Sequence, residues 1–263
     1  MTYHHELRVA ESIARQAGRH ILRERAKNME VSLKAPNDLV TNVDRSTERL
    51  ITAAIREHFP DDDIIGEEYG DHRGDSTAIG ARRRWLIDPI DGTVNFTMGI
   101  PLYCVSIALQ VDGHTVVGVI YEPNRDELFS AREDQPATLN GWPIAVSECA
   151  TIANAVLVTG FPSGRGEEFE NALEQFIRLT RTSRGVRRLG SAAIDLAYVA
   201  CGRIDAFWEF GLSPWDTGAG YLIVAQAGGQ VSALDGSPYV VEGRSILASN
   251  GTLHAELIEA LKL

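Results

Sequence analysis

From residue 6 to 27, Leu7, Ala10, Ile13, Ala14, Ala17, Ile21 and Leu22 recur three or four positions apart, with Arg and Glu between them. An apolar stripe on a 3.6-residue period predicts an amphipathic helix. Residues 42–59 repeat the pattern with Val43, Thr47, Leu50, Ile51, Ala54 and Ile55. Thr41 suits the N-cap of this second helix, Asp44 in its first turn complements the helix dipole, and Pro60 closes it.

The period then changes. Residues 84–88, 103–111, 115–121 and 127–131 are rich in Val, Ile, Leu, Tyr and Phe, which predicts strands. Val111-Asp112-Gly113-His114 between two of them is a hairpin signal, so the expectation is an antiparallel sheet and not a series of parallel crossovers. Asn140-Gly141-Trp142-Pro143 reads as a further turn. Beyond residue 150, strands at 155–159, 205–209, 230–233 and 246–248 alternate with helices at 167–181, 191–201, 215–227 and 252–261. Gly202 and Gly228-Gly229 end two of those helices. There is no internal repeat and no long linker, so 1–263 is expected as one compact domain. A soft boundary near 145 would divide it into lobes 1–145 and 146–263.

Four acidic segments interrupt this pattern. Trp85-Leu86-Ile87-Asp88-Pro89-Ile90-Asp91-Gly92-Thr93 ends an apolar strand with two carboxylates, a stiff proline between them and a Gly-Thr pair after. Taken alone, Asp-Pro and Asp-Gly are ordinary turn chemistry. Here they follow a buried-looking strand, and Asp44, Glu67-Glu68 and Asp216 also lie at element ends. Singly, each of these is a helix-terminal or loop acid. Jointly, they form an oxygen-rich set suited to a hard divalent cation such as Mg²⁺. Carboxylates so clustered repel one another unless cations neutralise them or their pKa values rise.

Composition removes other functions. A net charge of −11 over 263 residues argues against a nucleic-acid surface. Arg82-Arg83-Arg84 and Arg187-Arg188 read as solvated faces or a local phosphate clamp. Cys104, Cys149 and Cys201 have no paired spacing, which fits a reducing compartment. No apolar run is long enough to span a bilayer. The first six residues lack a signal-peptide pattern, and His4-His5 reads as a frayed end. A cytoplasmic protein without membrane or nucleic-acid partners is expected. P-loop, GxSxG, HExxH and complete GxGxxG patterns are missing, and the histidines show no metal-ligand spacing.

In chain order the quoted segments, with Gly190-Ser191-Ala192-Ala193, Glu209, Trp215-Asp216 and Gly228-Gly229, make the sequence resemble the inositol monophosphatase family of Mg²⁺-dependent, lithium-sensitive sugar phosphatases. The resemblance covers nearly the whole chain. It implies an α+β fold, a layered αβαβα sandwich with mixed, largely antiparallel sheets. It implies two or three Mg²⁺ per site, held by Glu67, Asp88, the Ile90 carbonyl, Thr93, Asp91 and Asp216. Asp44 and Thr93 match the pair that orients the attacking water, with Glu67 beside them among the catalytic residues. Gly92 and Thr93 match the phosphate contacts, and Ala192 and Glu209 the contacts to substrate hydroxyls. The implied activity is phosphomonoester hydrolysis of inositol-1-phosphate or a similar polyol phosphate by a likewise implied homodimer.

Two positions depart from the family pattern. Met98 stands where a basic or polar residue is usual, and Gly218 where Ala or Cys is usual. Three other substrates stay open: histidinol phosphate, fructose-1,6-bisphosphate and 3′-phosphoadenosine-5′-phosphate. Arg165, Arg187 or Arg188 would serve a bisphosphate. A scaffold protein without turnover would be marked by broken ligands, and every matched ligand is intact.

Overall fold

The structure is a computed structural model that describes residues 3–27, 29–35, 38–72, 74 and 82–262. Helix α1 (His4–Arg25) begins at the histidines expected to fray, and His4 Nε2 lies 3.3 Å from Arg132 Nη2. Met1 and Thr2 lie outside the described residues. Strands β1 (Val31–Ala35) and β2 (Asp38–Thr41) pair as an antiparallel hairpin, and α2 (Asn42–His58) follows directly. Thr41 caps α2 as its sequence predicts: its hydroxyl oxygen accepts from the Val43 and Asp44 amides at 3.1 and 3.3 Å.

The chain next builds a large sheet. Its strands are β3 (Asp63–Gly66), β4 (Gly70–His72), β5 (Arg83–Asp91) and, after the short helix α3 (Thr93–Met98), β6 (Cys104–Val111) and β7 (His114–Glu122). β8 (Glu127–Arg132), β9 (Thr138–Leu139) and β10 (Trp142–Pro143) complete it. The eight strands run in the order β10-β9-β8-β7-β6-β5-β3-β4, antiparallel throughout except for the parallel pair β3–β5. The turn expected at 140–143 is tighter than that span. Asn140 and Gly141, both at positive φ, form the loop, while Trp142 and Pro143 are already strand.

The second half builds a smaller sheet. In chain order it adds β11 (Val156–Thr159), α4 (Glu167–Thr182), β12 (Gly185–Arg187) and α5 (Ala192–Ala200). β13 (Ala206–Phe210), α6 (Pro214–Gln226), β14 (Gln230–Ser232), β15 (Ser245–Ser249) and α7 (His254–Leu261) follow. Its order is β12-β11-β13-β15-β14, with β11 parallel to both neighbours and the other pairs antiparallel.

Alternation along the strands stacks these pieces. On β5, Trp85 and Ile87 turn towards α1 and α2, joining Ile13, Ile21, Ile51 and Ile55 in one core. Leu86 turns the other way, into a second core with α5, α6 and Phe207, Ile246 and Ala248 of the small sheet. The far face of that sheet, with Leu157, Trp208 and Leu247, packs on Leu179 of α4 and Leu257 of α7. The layers are therefore α1–α2, large sheet, α5–α6, small sheet, α4–α7: the αβαβα sandwich. Burying a side chain such as Ile87 stabilises the fold by about 1.5–3 kcal/mol.

Helix α6 lies unusually close to its neighbours. A Cβ on Gly218 would come within 2.7 Å of Leu86 Cδ1 on β5. The position where the family usually has Ala or Cys is thus filled here by a leucine from the sheet.

Candidate functional site

Asp88 and Asp91 are three positions apart on one strand, so simple alternation would send them to opposite faces. The pairing register prevents this. Asp88 lies opposite Ser106 while Asp91 lies opposite Cys104, so β5 carries one extra residue between them. The bulge holds Pro89, whose missing N–H is unneeded where the ladder is interrupted. Both carboxylates thus belong to one buried, mutually repelling set. Gly92 follows at φ 99° and caps α3. The backbone carbonyls of Gly190 and Leu102 would lie 3.1 Å from any Cβ there.

The other acids arrive from separate elements. Asp44 sits in the first turn of α2, fully buried, and its Oδ2 accepts from the Thr41 amide at 2.9 Å. Its Oδ1 lies 3.1 Å from Thr93 Oγ1, and Thr93 Oγ1 lies at the same distance from the Ile90 carbonyl oxygen. Thr93 has one hydroxyl proton to share between these two acceptors. Asp216 opens α6, where its Oδ2 accepts from the Ser213 amide at 2.7 Å in a capping box, with Pro214 as the first helical residue. Asp91 Oδ2 accepts from Ser191 Oγ at 2.5 Å and from the Ala193 amide at 2.7 Å, which ties β5 to the start of α5.

Burial and crowding act on these groups together. Burial, then the charges of Glu67, Asp91 and Asp216, hold the Asp88 carboxyl well above the ordinary range. Asp88 is also in hydrogen-bonding contact with both Glu67 and Asp216. Burial raises Asp216, and Asp91 adds to it. Burial pushes Asp91 up to about 6 even though Ser191 and the Ala193 amide favour its ionised form. Asp44 is raised by burial despite its bonds to Thr41. Glu209, at the end of β13, is pushed up to about 8 by burial and by Asp216, with Arg188 opposing.

Glu67 differs from the rest. It lies in the turn between β3 and β4, and its Oε1 accepts from Lys34 Nζ at 2.8 Å. Lys34 also binds Glu68. Burial alone would lower the ammonium pKa, but Glu67 and Glu68 more than reverse that. The turn itself is held by buried Glu48 of α2, which accepts from the Glu68 amide at 2.8 Å and the Tyr69 amide at 3.1 Å.

A cavity of about 140 Å³ opens on one side of this cluster, with Asp91, Ala192, Glu209 and Asp216 in its wall together with Arg188 and Asp195. Asp195 is fully buried, and its Oδ1 has no hydrogen-bond partner among the described residues. The structure thus brings all the sequence-derived positions into one connected set. Asp44, Thr93 and Ile90 are joined by hydrogen bonds, with Gly92 next in the chain; Glu67, Asp88 and Asp216 are joined by carboxyl contacts. Asp91 is joined through charge, Ala192 and Glu209 through the cavity. Lys34, Glu48 and Asp195 were not singled out from sequence. Their partners come from other elements, and nothing local marks them. The Arg82–Arg84 run is not a phosphate clamp: its members pair with Asp63, with Glu6 and Asp62, and with Gln110 and Glu242.

Among the described residues no three His, Cys, Asp or Glu side chains are already gathered to metal-binding distance. Each carboxylate instead spends an oxygen locally: Glu67 on Lys34, Asp88 on the Ile90 amide at 2.9 Å, Asp91 on Ser191 and Asp216 on Ser213. The donor set nevertheless fits a hard divalent cation. It is all oxygen, and Asp88 touches two further carboxyls with no lysine or arginine bonded to it among the described residues. Such contacts require a shared proton or a cation.

A model of the inositol monophosphatase family matches residues 3–262. The inositol-1-monophosphatase of Synechocystis sp. is 44% identical over 256 residues, covering 97% of this chain and 88% of that protein. The extragenic suppressor protein suhB of Bartonella henselae superposes with a TM-score of 0.91 at 37% identity, over 97% of each chain. SaIMPase-II of Staphylococcus aureus, solved with inositol monophosphate bound, superposes at 0.79 with 29% identity, over 95% of this chain and 91% of its own.

Proposed function

The chain belongs to the inositol monophosphatase family of phosphoric monoester hydrolases, and from that premise we propose a Mg²⁺-dependent phosphatase acting on inositol-1-phosphate or a similar polyol phosphate. The observation that carries the metal part is the contact of buried Asp88 with both Glu67 and Asp216. Glu67, Asp88, Asp91, Asp216, the Ile90 carbonyl and Thr93 would hold two or three Mg²⁺. When bound, such ions neutralise the carboxylates and stabilise charge on the nucleophile and the leaving oxygen.

The chain's own residues do the positioning. A water that donates to Thr93 Oγ1 lets the Thr93 hydroxyl pass its proton to Asp44 Oδ1, 3.1 Å away. Asp44 is suited to accept it because burial raises its proton affinity. Thr41 fixes the other oxygen, so the acceptor cannot rotate away. The amides of Gly92, the N-cap of α3, and of Thr93 would serve as donors to the phosphate. Ala192 and Glu209 contact the polyol, and a carboxylate in that wall accepts hydrogen bonds from ring hydroxyls. The inositol monophosphate bound to SaIMPase-II supports this substrate class. A homodimer belongs to the proposal, since Val94, Met98 and Ile100 leave apolar side chains 46, 72 and 44% exposed around α3. No helix among the described residues is long and apolar enough to cross a membrane.

Phosphate release from inositol-1-phosphate, histidinol phosphate, fructose-1,6-bisphosphate and 3′-phosphoadenosine-5′-phosphate, with and without Mg²⁺, tests the assignment. Mg²⁺-dependent preference for inositol-1-phosphate is expected. Preference for another compound would overturn the role of Glu209, and turnover in EDTA would overturn the metal site.

A further inference from the structure

The mechanism above gives Asp195 no task, yet this residue of the first turn of α5 is only 1% exposed. Its side chain stands in the wall of the cavity of about 140 Å³ that Ala192 and Glu209 also line. Its Oδ1 has no hydrogen-bond partner among the described residues. A buried polar atom left unbonded costs stability, so this one calls for a partner from outside the chain. The nearby hydroxyl of Ser191 is already given to Asp91.

The lining decides what that partner can be. Among the described residues its charged side chains are Asp91, Asp195, Glu209 and Asp216, against the single guanidinium of Arg188. Asp91 takes neutral donors from Ser191 and the Ala193 amide, and Asp216 takes one from the Ser213 amide. On Asp195 and Glu209 only burial and neighbouring charges act. Burial, with Glu209 and then Asp91 adding to it, holds the Asp195 carboxyl well above the ordinary range, and Arg188 opposes. A phosphate group beside Asp195 would add further acceptors to a wall already rich in them. An alcohol hydroxyl both donates and accepts, so it bonds a carboxyl in either protonation state. The partner that fits is a hydroxyl.

Asp195 and Glu209 reach the cavity from different elements. Glu209 lies on β13, with its carboxyl seated against the bare backbone of Gly160, where a Cβ would strike it. Asp195 arrives from α5. Two carboxyls anchored on two elements suit two hydroxyls of one molecule.

We infer that Asp195 is a specificity-determining residue of this site: it hydrogen-bonds a hydroxyl of the leaving alcohol, and together with Glu209 it makes the cavity read two hydroxyls of a polyol. The inference rests on the hydrolytic activity argued above.

Inositol-1-phosphate and cyclohexyl phosphate, which lacks the ring hydroxyls, form the test pair. Asp195→Leu should lower the inositol-to-cyclohexyl ratio of kcat/KM about 10-fold, chiefly through the KM for inositol-1-phosphate, the scale of one lost hydrogen bond to a carboxyl. Asp195→Asn should keep part of the ratio. Asp195→Ala gives the same reading if the leucine variant misfolds. Without substrate, the Tm of Asp195→Leu should exceed that of the unaltered protein, because an unbonded buried carboxyl has gone. A ratio unmoved by both deletions overturns the inference, whatever the Tm, and leaves Asp195 a structural residue. If the unaltered protein hydrolyses neither compound, the catalytic assignment has failed separately. Calorimetry with inositol-1-phosphate then decides: weaker binding by the deletion variants upholds the contact, and equal binding overturns it.

Discussion

Ser191 Oγ stands 2.5 Å from Asp91 Oδ2, joining the N-cap of α5 to the bulged end of β5. The same carboxylate oxygen takes the Ala193 amide at 2.7 Å. Asp91 is therefore held in place by neutral donors and kept available for a cation. Asp91→Asn should keep the fold and lower kcat at least ~10²-fold at saturating Mg²⁺, because one ligand charge is lost in the transition state. Near-normal turnover in a variant with native circular dichroism would remove Asp91 from the metal site.

Glu209 lines the cavity beside Ala192 and feels Asp216 through space. Glu209→Gln should mainly raise KM for polyol phosphates, by roughly 10-fold above about pH 8, where Glu209 is an ionised acceptor, and by less below it. Michaelis constants across several polyol phosphates check this, and a uniform lack of change excludes contact with the substrate.

Stability without metal should depend on pH in a direction opposite to most acidic proteins. Asp91 rises from 3.8 to about 6 and Glu209 from 4.5 to about 8 on folding. The native state thus binds more protons than the unfolded chain between about pH 4 and 8, and stability falls as pH rises through that window. Every tenfold gain in proton affinity on folding corresponds to about 1.4 kcal/mol. In EDTA, Tm should drop from pH 5 to pH 8. With Mg²⁺ the drop should flatten, since cations hold the carboxylates ionised. A Tm that climbs across this window in EDTA would contradict the burial of these groups.

Gly218 and Leu86 occupy one volume between α6 and β5. Gly218→Ala crowds Leu86 Cδ1, and Leu86→Val makes room for it. The double-mutant cycle should show a coupling of about 0.5–3 kcal/mol, the range for residues in contact. Additive denaturant midpoints would mean that Leu86 simply swings aside.

Much of this architecture was legible because long elements advertise their period. The stripe in α1, the cap at Thr41 and the apolar runs of β5 to β8 each overdetermine their structure. Strands of two or three residues, such as β9, β10 and β12, are too short to show alternation. The short helix α3 lies hidden behind the Asp-Gly turn signal. The site residues were visible as acids at element ends. What the sequence could not show is the extra residue at Pro89 that turns Asp88 and Asp91 to one side, since a bulge is a property of two paired strands. Lys34 and Glu48 stayed hidden for the same reason: each acts on the Glu67-Glu68 turn from a distant segment.

The cluster takes Asp44 from α2, Glu67 from a turn, Asp88 and Asp91 from β5, and Asp216 from α6 near the end of the chain. A ribosome makes these pieces in that order. Until α6 has left the exit tunnel and docked between the two sheets, Asp88 lacks its Asp216 partner. A growing chain therefore cannot complete the cluster until Asp216, 47 residues from the end of the 263, has been made and α6 has docked.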